Sequence, residues 1–117
     1  ETSMNKEQAA RAIKLLCERF GAPVPRLDWS GRSRNGRAWK DRIQIGPRCW
    51  RGVEAALVHE VAHIVGYAKG KNHGHGPKFW TALESIAKVW YGDAALYPWR
   101  TEYKAGKGYA GRKQFIK

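Results

Sequence analysis

His59-Glu60-Val61-Ala62-His63 sets two imidazoles four residues apart, with a carboxylate directly after the first. On a helix, residues four apart share one face a turn above each other, so both rings can point at one metal ion. Glu60 projects from a neighbouring part of that face. From there it can take a proton from a metal-bound water without ligating the metal itself. The surrounding run, residues 53–67, is apolar at helical spacing, which supplies the context this pattern needs. These five residues predict a zinc site.

A catalytic zinc takes three protein ligands and keeps one position open for water. The continuation H-E-x-x-H-x-x-G-x-x-H fails here, because Gly66 matches but Lys69 stands at the last position. Three candidates remain. Glu84 is the sole acid of the following helix, where a solvated glutamate is the simpler reading. His73 and His75 both lie in a glycine-rich loop, residues 69–76, that returns the chain towards His59 and His63.

The elements that must position these groups can be read from punctuation and period. Residues 5–20 form an amphipathic helix: Ile13, Leu16, Cys17 and Phe20 repeat at helical spacing, with Asn5 and Gln8 as a capping box. Gly21 and Pro23 stop it. Residues 23–29 should be extended. A basic loop then ends in Asn35-Gly36, a hairpin signal. Trp39, Asp41, Ile43 and Ile45 alternate with Lys40, Arg42 and Gln44 as in a half-buried strand, Trp39 on its apolar side. The long helix should start near Trp50 and be packed on two sides. Pro77 opens another helix at N1, in which Phe79, Trp80, Leu83, Ile86, Ala87 and Trp90 read as core, and Gly92 closes it. The expected fold class is α+β: an N-terminal helix, a small sheet of two or three strands, the H-E-x-x-H helix and a closing helix. Residues 1–4 read as a lead-in ending at Met4, residues 5–92 as one domain, and residues 93–117 as a basic aromatic tail with no regular period.

At 117 residues with six tryptophans, the chain suits one folded domain with a single core. Cys17 and Cys49 are isolated and read as small core residues, compatible with a reducing cytoplasm. No apolar run is long enough for a membrane span and no signal peptide is evident. The 22 Lys and Arg residues against 10 acids give a net charge of +12, which points to a polyanionic partner such as nucleic acid. Residues 26–51 carry eight basic and two acidic side chains, and residues 93–117 carry six and two. Trp29, Trp39, Trp50, Trp99, Tyr103 and Tyr109 are interleaved with them, a composition suited to single strands.

The motif pair His59-Glu60-Val61-Ala62-His63 and His75-Gly76-Pro77-Lys78-Phe79-Trp80 resembles the SprT-like zinc metallopeptidase family. Its pattern is H-E-x-x-H, then H-G-x-x-F/W at the start of the next helix. Gly36-Arg37-Ala38-Trp39 and Ile43-Gln44-Ile45-Gly46-Pro47 resemble the family's strand pair. The likeness covers residues 5–90, and WLM proteases and other small zincins share similar motifs. It implies a small zincin domain with Zn2+ held by His59, His63 and His75, Glu60 as general base, and His73 as a spectator. The implied activity is hydrolysis of peptide bonds in a protein substrate by metal-activated water. The small size suits a bacterial or phage origin, with the expected location the cytoplasm of a bacterial or phage-infected cell or its nucleoid. The oxyanion donor stays open among Tyr67, Tyr91, Tyr103 and Tyr109. Many family members continue into a cysteine-based zinc ribbon, but no cysteine follows Cys49, so the ribbon's role does not carry over. Animal and yeast proteins resembling this domain cut proteins crosslinked to or stalled on DNA, and the +12 charge favours that version. The alternatives are a zincin that cleaves one regulator without DNA, and a non-catalytic nucleic-acid-binding module in which zinc holds the fold. Retention of Glu60 speaks against the module, since a structural site needs no base.

Overall fold

The computed structural model describes residues 4–68 and 74–99. Three helices and a three-stranded mixed sheet make an α+β domain: α1 (Lys6–Arg19), β1 (Arg26–Trp29), β2 (Arg37–Ala38), β3 (Arg42–Ile45), α2 (Val53–Ala68) and α3 (Pro77–Tyr91), then a 3₁₀ turn at Ala94–Leu96. Local chemistry accounts for the helix ends. Asn5 Oδ1 accepts from the Gln8 amide at 2.8 Å while Gln8 Oε1 accepts from the Asn5 amide at 2.9 Å, the expected capping box of α1. Past its C-terminus, Gly21 takes a left-handed φ of 69° and the Ala22 amide donates to the Cys17 carbonyl at 2.8 Å. Pro77 sits in the first turn of α3, and Gly92 (φ 79°) terminates it.

α2 is the central element, packing on α1, α3, β2 and β3. Ala56, Leu57, Val58, Val61 and Ala62 are fully buried, so the helix is apolar nearly all round, as its sequence predicts. It begins at Val53 rather than near Trp50, because Gly52 has a φ of 90° that helical backbone does not permit.

The sheet differs from the expectation in its connections. Its order is β1-β3-β2, with β1 parallel to β3 and β2 antiparallel to β3. A two-residue hairpin turn cannot join parallel strands, so Asn35-Gly36 is not the turn joining β1 to β3. The tight connection runs instead through residues 39–41 between β2 and β3, where the Trp39 amide donates to the Arg42 carbonyl at 2.7 Å. Asp41 is therefore an exposed turn residue, and the inward alternation holds only for Ile43 and Ile45, both fully buried. Trp39 is 37% exposed and lies outside the core, because the turn lifts it off the strand.

Where β1 and β3 end, their backbones meet. A Cβ on Gly46 would lie 1.7 Å from the Ser30 carbonyl oxygen, while the Ser30 amide donates to the Ile45 carbonyl at 2.9 Å. Gly46→Ala must push two backbones apart, with no flexible side chain to yield. The substitution should cost about 1–3 kcal/mol and lower Tm by roughly 5 °C or more. A melting curve superimposable on the wild type would contradict that reading.

The first residues of the basic tail belong to the domain. Asp93 caps the 3₁₀ turn through the Ala95 amide at 2.9 Å. Tyr97 and Trp99 are then buried, at 2% and 7% exposure, and the Trp99 indole donates to the Ala94 carbonyl at 2.7 Å. Trp99 lies 6.1 Å from Trp80 and 5.0 Å from Tyr97, centroid to centroid, closing the core over α3. Trp99 is thus unavailable for stacking on a partner. Residues 100–117, with Tyr103 and Tyr109, lie outside the described residues, as does His73. No helix among the described residues is long and apolar enough to cross a membrane.

Candidate metal centre

α2 carries His59 and His63 on one face, one turn apart, and His75 stands just before Gly76, the N-cap of α3. The two helices pack closely enough to bring all three rings together. His59 Nε2 lies 3.3 Å from His63 Nε2 and 3.2 Å from His75 Nε2. One ring nitrogen carries either one hydrogen or one lone pair, so it cannot serve two such partners at once. A shared cation removes the difficulty. Two nitrogens about 2.0–2.1 Å from one tetrahedral ion are separated by about 3.3 Å. The three histidines could hold a metal ion: among the described residues their ring nitrogens lie within 4.8 Å of one another. Glu84, half-buried on α3, is not part of this group.

Phe79 forms the back of the group. Its ring centroid lies 4.9 Å from His59, 4.5 Å from His63 and 4.6 Å from His75, and the residue is 1% exposed. A buried phenyl ring packed against three imidazoles restricts their rotation. The helical spacing that marks Phe79 as core is satisfied, but it does not disclose this orienting contact.

Glu60 is 2% exposed and lines a cleft of about 400 Å³ together with the three histidines. The opposite wall comes from β2 and its flanks: Gly36, Arg37, Ala38 and Trp39, with Arg51 at the approach to α2. Gly36 comes so near that a Cβ there would sit 2.7 Å from Glu60 Oε2 and 2.9 Å from its Cγ. The glycine of Asn35-Gly36 thus makes room for a buried carboxylate. The Trp50 amide, donating to the Arg34 carbonyl at 2.9 Å, ties this loop to the approach to α2 and holds Gly36 in register with Glu60. Arg51 is a cleft residue that the motif reading did not single out, and Arg37 and Trp39, read there as part of a strand pair, also line the cleft. Over Trp39, the Arg42 guanidinium lies 3.9 Å from the ring centroid.

The remaining candidates fall elsewhere. Neither Tyr67 nor Tyr91 lines the cleft. Tyr91 meets Tyr97 edge to face at 6.0 Å, and its hydroxyl is pushed up to about 12 by burial and by the Glu54 carboxylate. Cys17 and Cys49 are buried free thiols in the core, as expected, and burial pushes the Cys17 thiol up to about 11, well away from a thiolate ligand. No family model, characterised protein or solved structure matches the chain.

Proposed function

We propose that this chain is a zinc-dependent metallopeptidase of the SprT-like kind, with His59, His63 and His75 as ligands and Glu60 as general base. The observation that carries the reading is a three-imidazole cluster opening, beside a buried carboxylate, onto a cleft walled by a strand. A structural zinc site is closed by four protein ligands, whereas among the described residues this group has three, and His63 and His75 are only half-buried. Zinc, when bound, supplies a Lewis acid that polarises a carbonyl and lowers the pKa of water towards neutrality. Glu60 takes the proton of the attacking water and returns it to the leaving amine, and its burial beneath Gly36 holds the carboxylate in place for both transfers. Among the described residues β2 stands at the outer edge of the sheet, a position that suits an extended peptide laid across the cleft.

DNA-associated proteins are the substrates we favour. Trp50, 52% exposed, remains available for stacking, near the exposed Arg32, Arg34 and Arg48 in sequence. The test is a casein digest by the zinc-loaded chain, with and without single-stranded DNA and a chelator. Digestion should be lost on chelation, restored by zinc and accelerated by DNA, with DNA affinity falling by about 0.7 log unit per log unit of salt for each phosphate neutralised. An inert zinc-loaded chain would favour the binding module, and digestion indifferent to DNA would favour a regulator-cleaving zincin.

A further inference from the structure

Trp39 is pinned twice by one residue. Its amide donates to the Arg42 carbonyl at 2.7 Å, and the Arg42 guanidinium lies over the indole, 3.9 Å from the ring centroid. Arg42 is anchored in turn. Its Nη1 stands 3.9 Å from Asp28 on β1, and Asp28 accepts from the Gln44 side-chain amide of β3 at 2.9 Å. The indole is nonetheless 37% exposed and lines the same cleft as Glu60 and the three histidines. No aromatic ring among the described residues meets it. A guanidinium covers one face of a ring, so the rest of a flat apolar surface, already held in one orientation, is left to the cleft.

We infer that Trp39 sets the side-chain preference of the cleft, receiving an aromatic side chain of the substrate against its indole and turning away lysine and arginine. The inference rests on the peptidase reading. Whatever lies against Trp39 shares a cleft of about 400 Å³ with the metal ligands and Glu60, and in a peptidase that is the peptide beside the scissile bond. Aromatic pairs gain from offset or edge-to-face packing beyond what their buried area supplies. A ring already held by Arg42 and Asp28 loses little side-chain freedom on binding, so more of that gain is kept. The same guanidinium accounts for the exclusion. A second cation on the opposite face would sit on the order of 8 Å from the first, about one Debye length at physiological salt, with a ring between them instead of water. Lysine therefore meets repulsion where a bare tryptophan would attract it. Trp50, the more exposed tryptophan, does not line the cleft and is left for bases.

Binding separates this inference from catalysis. Zinc-loaded Glu60→Gln protein is titrated with fluorescent short peptide pools that differ only in whether one fixed position holds Phe, Leu, Ala or Lys. The Phe pool should bind roughly tenfold more tightly than the Ala pool, with Leu between them and Lys weakest. Adding Trp39→Ala should level the Phe, Leu and Ala pools, and Trp39→Phe, which keeps an aromatic face, should restore their order. Adding Arg42→Gln should lift the Lys pool at least to the Ala pool while Phe still leads. Trp50→Ala removes an exposed indole outside the cleft and should leave the order intact. Equal affinities for the four pools would overturn the inference. So would an order that survives Trp39→Ala, or one that Trp50→Ala disturbs as much, since the selection would then lie elsewhere. A Lys pool that stays weakest in Arg42→Gln would overturn the exclusion. Displacement of the Phe pool by a single-stranded oligonucleotide, lost in Trp39→Ala, would give the indole to a base and overturn the inference as well. Phe-pool peptides that are bound with this order but left uncut by the wild type would support the inference while sinking the peptidase reading.

Discussion

Replacing Glu60 with glutamine should leave a folded protein that binds one zinc per chain and digests protein roughly 10²–10⁴-fold more slowly. The two side chains have the same shape, and the position is buried, so packing against Gly36 is retained. What is lost is the ability to accept a proton, since an amide oxygen can receive a hydrogen bond without being protonated near neutral pH. A second variant approaches the same group from outside. Gly36→Ala places a methyl 2.7 Å from Glu60 Oε2, inside van der Waals contact, and the carboxylate is the flexible partner that must give way. That variant should also fold and bind zinc, with a lowered kcat. Comparable digestion by Glu60→Gln and wild type would remove Glu60 as the base. Loss of zinc together with activity would mean that Glu60 supports the ligands instead of the reaction.

The parts of the fold that could be read directly were those set by neighbours in sequence. The Asn5–Gln8 capping box, Gly21 after α1, and Pro77 and Gly92 around α3 are interactions within a few residues, and each stands where its chemistry predicts. The same holds for His59 and His63, because a spacing of four on a helix is a local fact. His75 needed more, since only the packing of α2 on α3 brings it within 3.2 Å of His59. A resemblance supplied that expectation.

What was illegible depended on contacts between distant segments. Asn35-Gly36 looks the same whether its glycine serves a turn or an empty space, and here the space is occupied by a side chain 24 residues further on. The alternation from Trp39 to Ile45 misled for a similar reason: half of it belongs to a turn, and only the pairing with β1 shows where the strand begins. Tyr97 and Trp99 have no period to announce them. They are buried because Trp80 and Tyr91 on α3 leave aromatic surface that a short return of the chain can cover.

His75→Ala should reduce zinc affinity by more than about 100-fold, the upper range for loss of a mere outer-shell partner. His59 and His63 would remain as a two-nitrogen site on one helix, which binds zinc far less well than three convergent rings. The effect should be confined to the metal, because His75 precedes Gly76 and Pro77, lies outside α3 and is half-buried. Melting curves separate the two contributions. Without metal, variant and wild type should unfold at nearly the same temperature. With zinc at about a thousand times the wild-type Kd, the wild type gains about 4 kcal/mol and the variant much less. Competition against a chromophoric chelator gives the affinities directly. Glu84→Ala should leave the affinity intact, since Glu84 stands apart from the cluster, and His73→Ala should do the same if the third ligand is His75. If instead either of those two substitutions abolishes binding while His75→Ala retains it, the third ligand has been misassigned, and the 3.2 Å approach of His75 to His59 would then be packing without coordination.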